Sequence, residues 1–207
     1  SLLSRKSLFR TVRAGIWDSA LIKTIALVLF IFMMSGLESV SAQHFIPGKD
    51  ASAEIGKILI QDQKGRTKPL YTLSNDIVRK VSGENKFRDY SSMQFFLGFL
   101  LDFDHWKDIP VIKVNNTGLR KKTGISGRYA SFSDLVDLSG EGSYKLSGDV
   151  NAAYAKSPGN RNKMDKEIMK VDERVNIIFM IYRGDFLRIF PLKDSTHNWG
   201  PIGRAHV

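Results

Sequence analysis

The stretch DFDHW (residues 102–106) sets two carboxylates, Asp102 and Asp104, beside the imidazole of His105. Carboxylate and imidazole are the donors of a zinc or iron site, but such a site needs three or four ligands that converge. No further ligands stand nearby, so the stretch reads as the solvated acidic end of a helix. His44 and His197 are the other histidines outside the last six residues. No two of the three are close in sequence, and a lone imidazole is more often a surface group than a ligand. No metal site is nominated.

Other chemistry is excluded by type or spacing. The chain has no cysteine, which removes disulfides, thiolate zinc sites, a cysteine nucleophile and any CxxC attachment motif. GRTKP (65–69) has one glycine and lacks the P-loop frame. LSGEGS (138–143) has a G-x-G without the strand, helix and third glycine of a dinucleotide fingerprint. No GxSxG elbow, HExxH or Ser–Lys arrangement is present, and no nucleophile–base pair can be named for a hydrolase. The N-x-[ST] match in NNTG matters only in a glycosylating host. No catalytic residue is nominated.

The net charge is +10, from 31 Lys and Arg against 21 Asp and Glu. Charge alone points to nucleic acid. Here Arg5, Lys6, Arg10, Arg13 and Lys23 all precede one apolar run, and acidic residues are mixed into the rest (DKEIMKVDER). With no RNP-type, zinc-finger or helix-turn-helix pattern, no nucleic-acid partner is expected.

The apolar run reaches about 17 positions around Thr24–Met34, at the short end for crossing a bilayer. Basic residues on its N-terminal side keep that end in the cytoplasm and deliver the rest outside. Val40-Ser41-Ala42 fits signal peptidase, with a cut before Gln43. Against cleavage stands the leader of about 20 residues before the apolar core, long for an n-region. Phe9, Ile16 and Trp17 in that leader suit a membrane interface. The residues alone leave both readings open. At the far end, IGRAHV (202–207) matches the translation of a common sequencing-adapter sequence. We therefore expect 202–207 to be adapter-derived and the natural frame to continue, as we expect further sequence before Ser1.

Between these ends the pattern is mixed. His44–Ser52 reads as a linker. AEIGKILIQ (53–61) suits a strand or a helix-to-strand step, and DQKGRTKP (62–69) a turn-rich basic loop. Residues 72–81 predict a helix capped by Thr72, with Leu73, Ile77, Val78 and Val81 on one face. SSMQFFLGFLLD (91–102) predicts a buried helix capped by Ser91 or Ser92. VIKV (111–114) predicts a strand, NNTGLRKKTGISG (115–127) a basic loop, and SFSDLVDL (131–138) a short capped helix. SGEGSYKLSGD (139–149) reads as exposed loop and residues 150–154 as a helical turn. From Asn162 a long helix is predicted, with Met164, Ile168, Val171, Val175, Ile178 and Phe179 at helical spacing and Gly184 as its cap. DFLRIFPL (185–192) reads as a strand.

Three stretches together carry a resemblance: IQDQKGRTKPLYTLSNDIVRKVSG, MQFFLGFLLDFDHWKDIPVIKV and RNKMDKEIMKVDERVNIIFMIYRGDFLRIFPL. They resemble the export-side (periplasmic) segment of the ResB–CcsA fusion proteins of bacterial cytochrome c biogenesis, the system II cytochrome c synthases. Gly65, Arg66, Lys68, Pro69 and Thr72 fit one family string. Lys170, Asp172, Glu173 and Arg174, then Leu187–Leu192, fit another. The resemblance covers roughly Ile46 to Pro201. It implies a membrane-bound parent that carries haem and presents it to apocytochrome c, a haem lyase. The tryptophan-rich haem motif of that family is absent here, since Trp17, Trp106 and Trp199 are isolated, so no catalytic residue carries over and the cofactor-binding residues stay unassigned. In such a fusion the apolar run stays as a transmembrane helix.

The expectation is therefore an α+β chain, one transmembrane helix followed by a single mixed helix/strand export-side domain. Its divisions are a basic juxtamembrane segment 1–19, a transmembrane helix or signal core 20–38, a linker 39–52, the export-side domain 53–201 and the adapter-derived 202–207. The expected location is the bacterial inner membrane, with the bulk of the chain on the periplasmic side. The implied cofactor is haem, held by the parent. The implied partners are apocytochrome c, the CcsA half and the membrane. Arg66, Lys68, Arg120, Lys121 and Lys122 are the candidate docking surface, for haem propionates or an acidic partner; each taken singly also reads as solvated basic surface. The alternative is a secreted, non-enzymatic binding domain with a cleaved signal peptide.

Overall fold

The computed structural model describes residues 46–139, 143–192 and 198–202. The transmembrane helix expected at 20–38, His44 and His197 lie outside the described residues. Helix α1 (Lys49–Ile55) leads into β1 (Leu59–Gln61), which pairs with β2 (Thr67–Pro69). Helices α2 (Leu70–Ser82), α3 (Ser92–Leu101) and α4 (Phe103–Trp106) follow, then β3 (Ile112–Lys113), α5 (Thr117–Thr123), β4 (Tyr129–Ala130), α6 (Phe132–Leu135), β5 (Val136–Asp137) and β6 (Ser143–Tyr144). The chain continues through α7 (Ser147–Ala155), a 3-10 turn at Pro158–Asn160, α8 (Lys163–Tyr182), β7 (Arg188–Pro191) and β8 (Trp199–Pro201).

The expected fold class is corrected by this arrangement. Among the described residues no helix is long and apolar enough to cross a membrane. Their strands form only four separate two-stranded antiparallel ribbons, β1–β2, β3–β4, β5–β6 and β7–β8, and helices supply most of the core. The reason lies in where apolar residues fall. Helix α8 has 20 residues, nearly the length of a membrane span, but only one face is apolar and the other is charged. Each strand is at most four residues long, too short to bury a sheet face of its own.

Helix α8 organises the core. Ile168, Val171, Val175, Ile178 and Ile181 are all buried on it, and each apolar side chain removed from water contributes about 1.5–3 kcal/mol. It packs against α2, α3, α5, α6, α7 and β3. Its start is set by a capping box. Asn162 accepts from the Asp165 amide, and Asp165 accepts from the Asn162 amide, both at 2.9 Å. Its end is set by Gly184, left-handed at φ 70°, where a side chain would be strained.

Helix α3 is buried along nearly its whole length. Ser91 and Gln94 close a second capping box at its start, as the sequence predicts for Ser91. Helix α2 starts at Leu70 rather than at Thr72. Pro69 is its cap, with φ −61° and ψ 143°, so the chain passes from strand to helix without a loop. Helix α5 replaces the expected basic loop. Asn116 caps it by accepting from the Leu119 amide at 3.0 Å, Leu119 is fully buried, and Gly124 ends it. The short helix expected over 131–138 stops at Leu135, where the chain turns into β5. The turn expected at 150–154 is the longer α7.

Candidate functional site

The DER string works as a clamp. Arg174 donates from Nε to the Lys80 carbonyl at the end of α2 (3.1 Å) and from Nη1 to the Lys113 carbonyl of β3. Glu167, about two turns earlier on α8, lies 3.8 Å from the same guanidinium and accepts from the Asn115 amide at 2.6 Å. Glu173 reaches Lys80 at 2.7 Å. Three segments distant in sequence are thereby joined by one helix face. Beside it, burial pushes the Asp172 carboxyl above the usual carboxylate range, partly offset by a hydrogen bond from Asn176.

The β1–β2 hairpin is a second fastened unit. Asp62 accepts from the Lys64 and Arg66 amides at 2.9 and 3.0 Å and from the Arg66 guanidinium at 3.0 and 3.1 Å. The Arg66 amide is the largest influence holding the Asp62 carboxyl below its ordinary range. Lys68 lies 3.3 Å from Asp76 and 3.9 Å from Asp62. The hairpin is tied to the C-terminal ribbon as well, where Gln61 accepts from the Trp199 amide at 2.8 Å.

The β7–β8 ribbon leaves α8 through the Gly184 turn. Leu187 is buried and anchors it. Arg188 pairs with Pro201 and Phe190 with Gly200, with an irregularity in the register between them, which re-aims side chains locally. Two grooves flank Arg188. One, of about 770 Å³, is walled by Met180, Phe190, Leu192, Trp199 and Pro201, with Asp185 and Arg188 at its polar end. The other, of about 220 Å³, lies against the β1–β2 hairpin and is lined by Asp62, Lys64, Arg66, Lys68 and Phe186, again with Asp185 and Arg188. Arg188 Nε is buried without a hydrogen-bond partner.

The five candidate docking residues fall into two groups. Arg66 and Lys68 face the smaller groove, each already paired to a carboxylate. Arg120, Lys121 and Lys122 lie together on α5, which contributes nothing to either groove. Arg120 donates to Thr117 Oγ1 at 3.0 Å and to the Gly127 carbonyl at 3.4 Å, and Lys122 lies 2.6 Å from Asp149. Lys121 is exposed. In DFDHW, Asp104 pairs with Lys107 at 2.7 Å, and no group of three or more potential metal ligands forms among the described residues. The sequence nominated neither Arg188 nor Phe190. The available signal was an arginine between apolar residues in a predicted strand (LRIF).

The chain is similar to Protein NrfI of Wolinella succinogenes. The two are 31% identical over 208 aligned residues, covering 96% of this chain and 23% of NrfI. The chain thus spans about a quarter of the length of that curated relative. No family model matches the chain. Because nearly the whole chain aligns, the similarity to NrfI is not confined to one motif.

Proposed function

We propose that this chain is an export-side segment of a bacterial cytochrome c biogenesis protein of the ResB–CcsA kind. In that setting it supports haem delivery and receives apocytochrome c for haem attachment. The observation that carries this is the 31% identity to Protein NrfI across 96% of the chain. The family-like strings add to it, since they coincide with the fastened parts of the fold: GRTKP with the Asp62 hairpin, KVDER with the Arg174 clamp.

The segment's share of the work is docking and support, and the haem chemistry belongs to the rest of the parent protein, its CcsA half included. The domain works on the periplasmic side of the bacterial inner membrane. Haem is held by the parent, and the described residues offer basic side chains that suit its propionates. Lys121, exposed on α5, is the docking cation with most freedom; Arg66 is held by Asp62, though its side chain stays 69% exposed.

The test is made in the source bacterium with the chromosomal gene. Haem-stained holocytochrome c is measured against immunoblotted apocytochrome. Removing the coding segment abolishes holocytochrome while apocytochrome persists, and Arg66→Glu with Lys121→Glu lowers the yield. Normal holocytochrome after removal overturns the cytochrome c assignment. Normal holocytochrome in the double variant alone removes the docking role and leaves the assignment.

A further inference from the structure

We infer that the groove between α2 and α8 receives an amphipathic helix of a partner protein, one that carries a basic residue about two turns from an acidic one. The groove has a volume of about 560 Å³. Leu73 and Ile77 of α2, Ile177 and Met180 of α8, and Phe186 make its apolar floor. Two helices side by side leave a furrow into which the ridge of a third can pack. An apolar furrow with charged rims is a recurring seat for amphipathic helices. Met180 is half-buried there, and a flexible methionine adapts to the surface it meets.

The charges on the rim select the partner's chemistry. Most are already paired. Lys80 lies 2.7 Å from Glu173, and Asp76 lies 3.3 Å from Lys68. Asp172 and Lys64 remain on the rim, and neither forms an ion pair among the described residues. Asp172 is half-buried, bonds with Asn176 and has Glu173 beside it as a like charge. A cation brought by a partner would offset both its desolvation and that repulsion. Lys64 stands at the other end. Its neighbour Gln63 donates to Met180 Sδ at 3.8 Å, and Met180 is about 12 Å along α8 from Asp172. The groove thus has an anionic end and a cationic end joined by an apolar floor. A helix offers the complementary set when a basic and an acidic residue two turns apart flank its apolar stripe. Tyr154, 50% exposed on the same rim as Asp172, gives the aliphatic stem of the partner's basic residue a ring to lie on. This surface is separate from Arg66 and Lys121 and from the cytochrome c assignment, and stands or falls without either.

The test uses the full 207-residue chain and three fluorescein-labelled helical peptides rich in alanine and leucine, followed by fluorescence anisotropy. The mixed peptide carries one lysine and one glutamate two turns apart. The second carries lysine at both places, and the third glutamine at both. The parent chain is expected to bind the mixed peptide about fivefold more tightly than the glutamine peptide, the size of two partly exposed ion pairs together. Asp172→Asn removes much of that advantage. Lys64→Glu turns the preference round, so that the two-lysine peptide binds best. Met180→Ala weakens all three peptides and keeps their order. Lys64 is exposed, so its variant tests the groove even if the others fail to fold. The inference is overturned if no peptide binds, if the mixed and glutamine peptides bind the parent alike, or if the Lys64→Glu chain still prefers the mixed peptide.

Discussion

Gly98 on α3 and Trp106 on α4 touch backbone to ring. A Cβ on Gly98 would stand 2.1 Å from Trp106 Cε2 and 2.4 Å from its Nε1. The indole is fully buried. It is ringed by Phe95, Phe99 and Tyr90 at centroid distances of 5.8, 5.3 and 5.2 Å. The glycine is what lets the α3–α4 corner close over this aromatic cluster.

Gly98→Ala therefore sets two effects against each other. Removing a mid-helix glycine favours the helix by about 0.5–1 kcal/mol, while overpacking a closed core costs about 1–3 kcal/mol. At 2.1 Å the second wins, and chemical denaturation shows a net loss of stability. Adding Trp106→Phe, which removes the clashing edge, makes Gly98→Ala less damaging than it is alone. An alanine variant as stable as the parent excludes the close approach.

Arg174→Gln breaks the clamp between α8, α2 and β3. The carbonyls of Lys80 and Lys113 lose a donor and Glu167 loses a nearby cation. We expect a loss of about 2–4 kcal/mol in urea denaturation, the scale of a broken, largely buried charged network. Arg174→Lys keeps the charge but cannot reach both carbonyls, and falls between the two. If the lysine variant matches the parent, the fork geometry is irrelevant.

Asp165 belongs to the capping box of α8 and pairs with Lys156 at 2.7 Å. The Lys156 ammonium, first, and the Asn162 amide hold its carboxyl below the ordinary range. A carboxyl lowered by folding stabilises above its unfolded pKa of about 3.9, and this is lost as pH falls through the folded value. Asp165→Asn thus melts earlier than the parent at pH 7, and the gap narrows below about pH 4. A gap that is constant with pH excludes the charge of Asp165 as its source.

Asp172 has the opposite sign. Burial raises its carboxyl, so folding favours the protonated form. Its stability contribution is fully present below the unfolded pKa and is lost as pH rises through the raised folded value. Asp172→Asn is expected to raise the melting temperature at pH 7 and to change it little at pH 3. A fall at pH 7 means that the hydrogen bond with Asn176 outweighs desolvation.

The local devices were legible in the order of residues. Ser91 as a cap, Gly184 as a stop and the apolar face of α8 follow from periodicity and capping chemistry, which depend on neighbours three or four positions away. Helix α5 was half legible, with an Asn cap and a Gly stop around LRKKT, but one buried leucine made too weak a period. Helix α2 began two residues early because Pro69 enters it directly from a strand. The resemblance strings also stood in the sequence, and the similarity to NrfI across the chain accords with them. The tertiary structure decided the rest. That Arg174 serves two carbonyls 61 and 94 residues away, and that Arg188 faces a groove walled by Trp199, depend on which elements meet. The strands showed this most plainly: alternation marks a strand, but whether it joins a sheet or stops at a two-stranded ribbon depends on the helices that take up the core. Pairings between distant segments leave no periodic trace in a single sequence, because the energy that fixes them comes from burial and charge neutralisation after the chain has closed on itself.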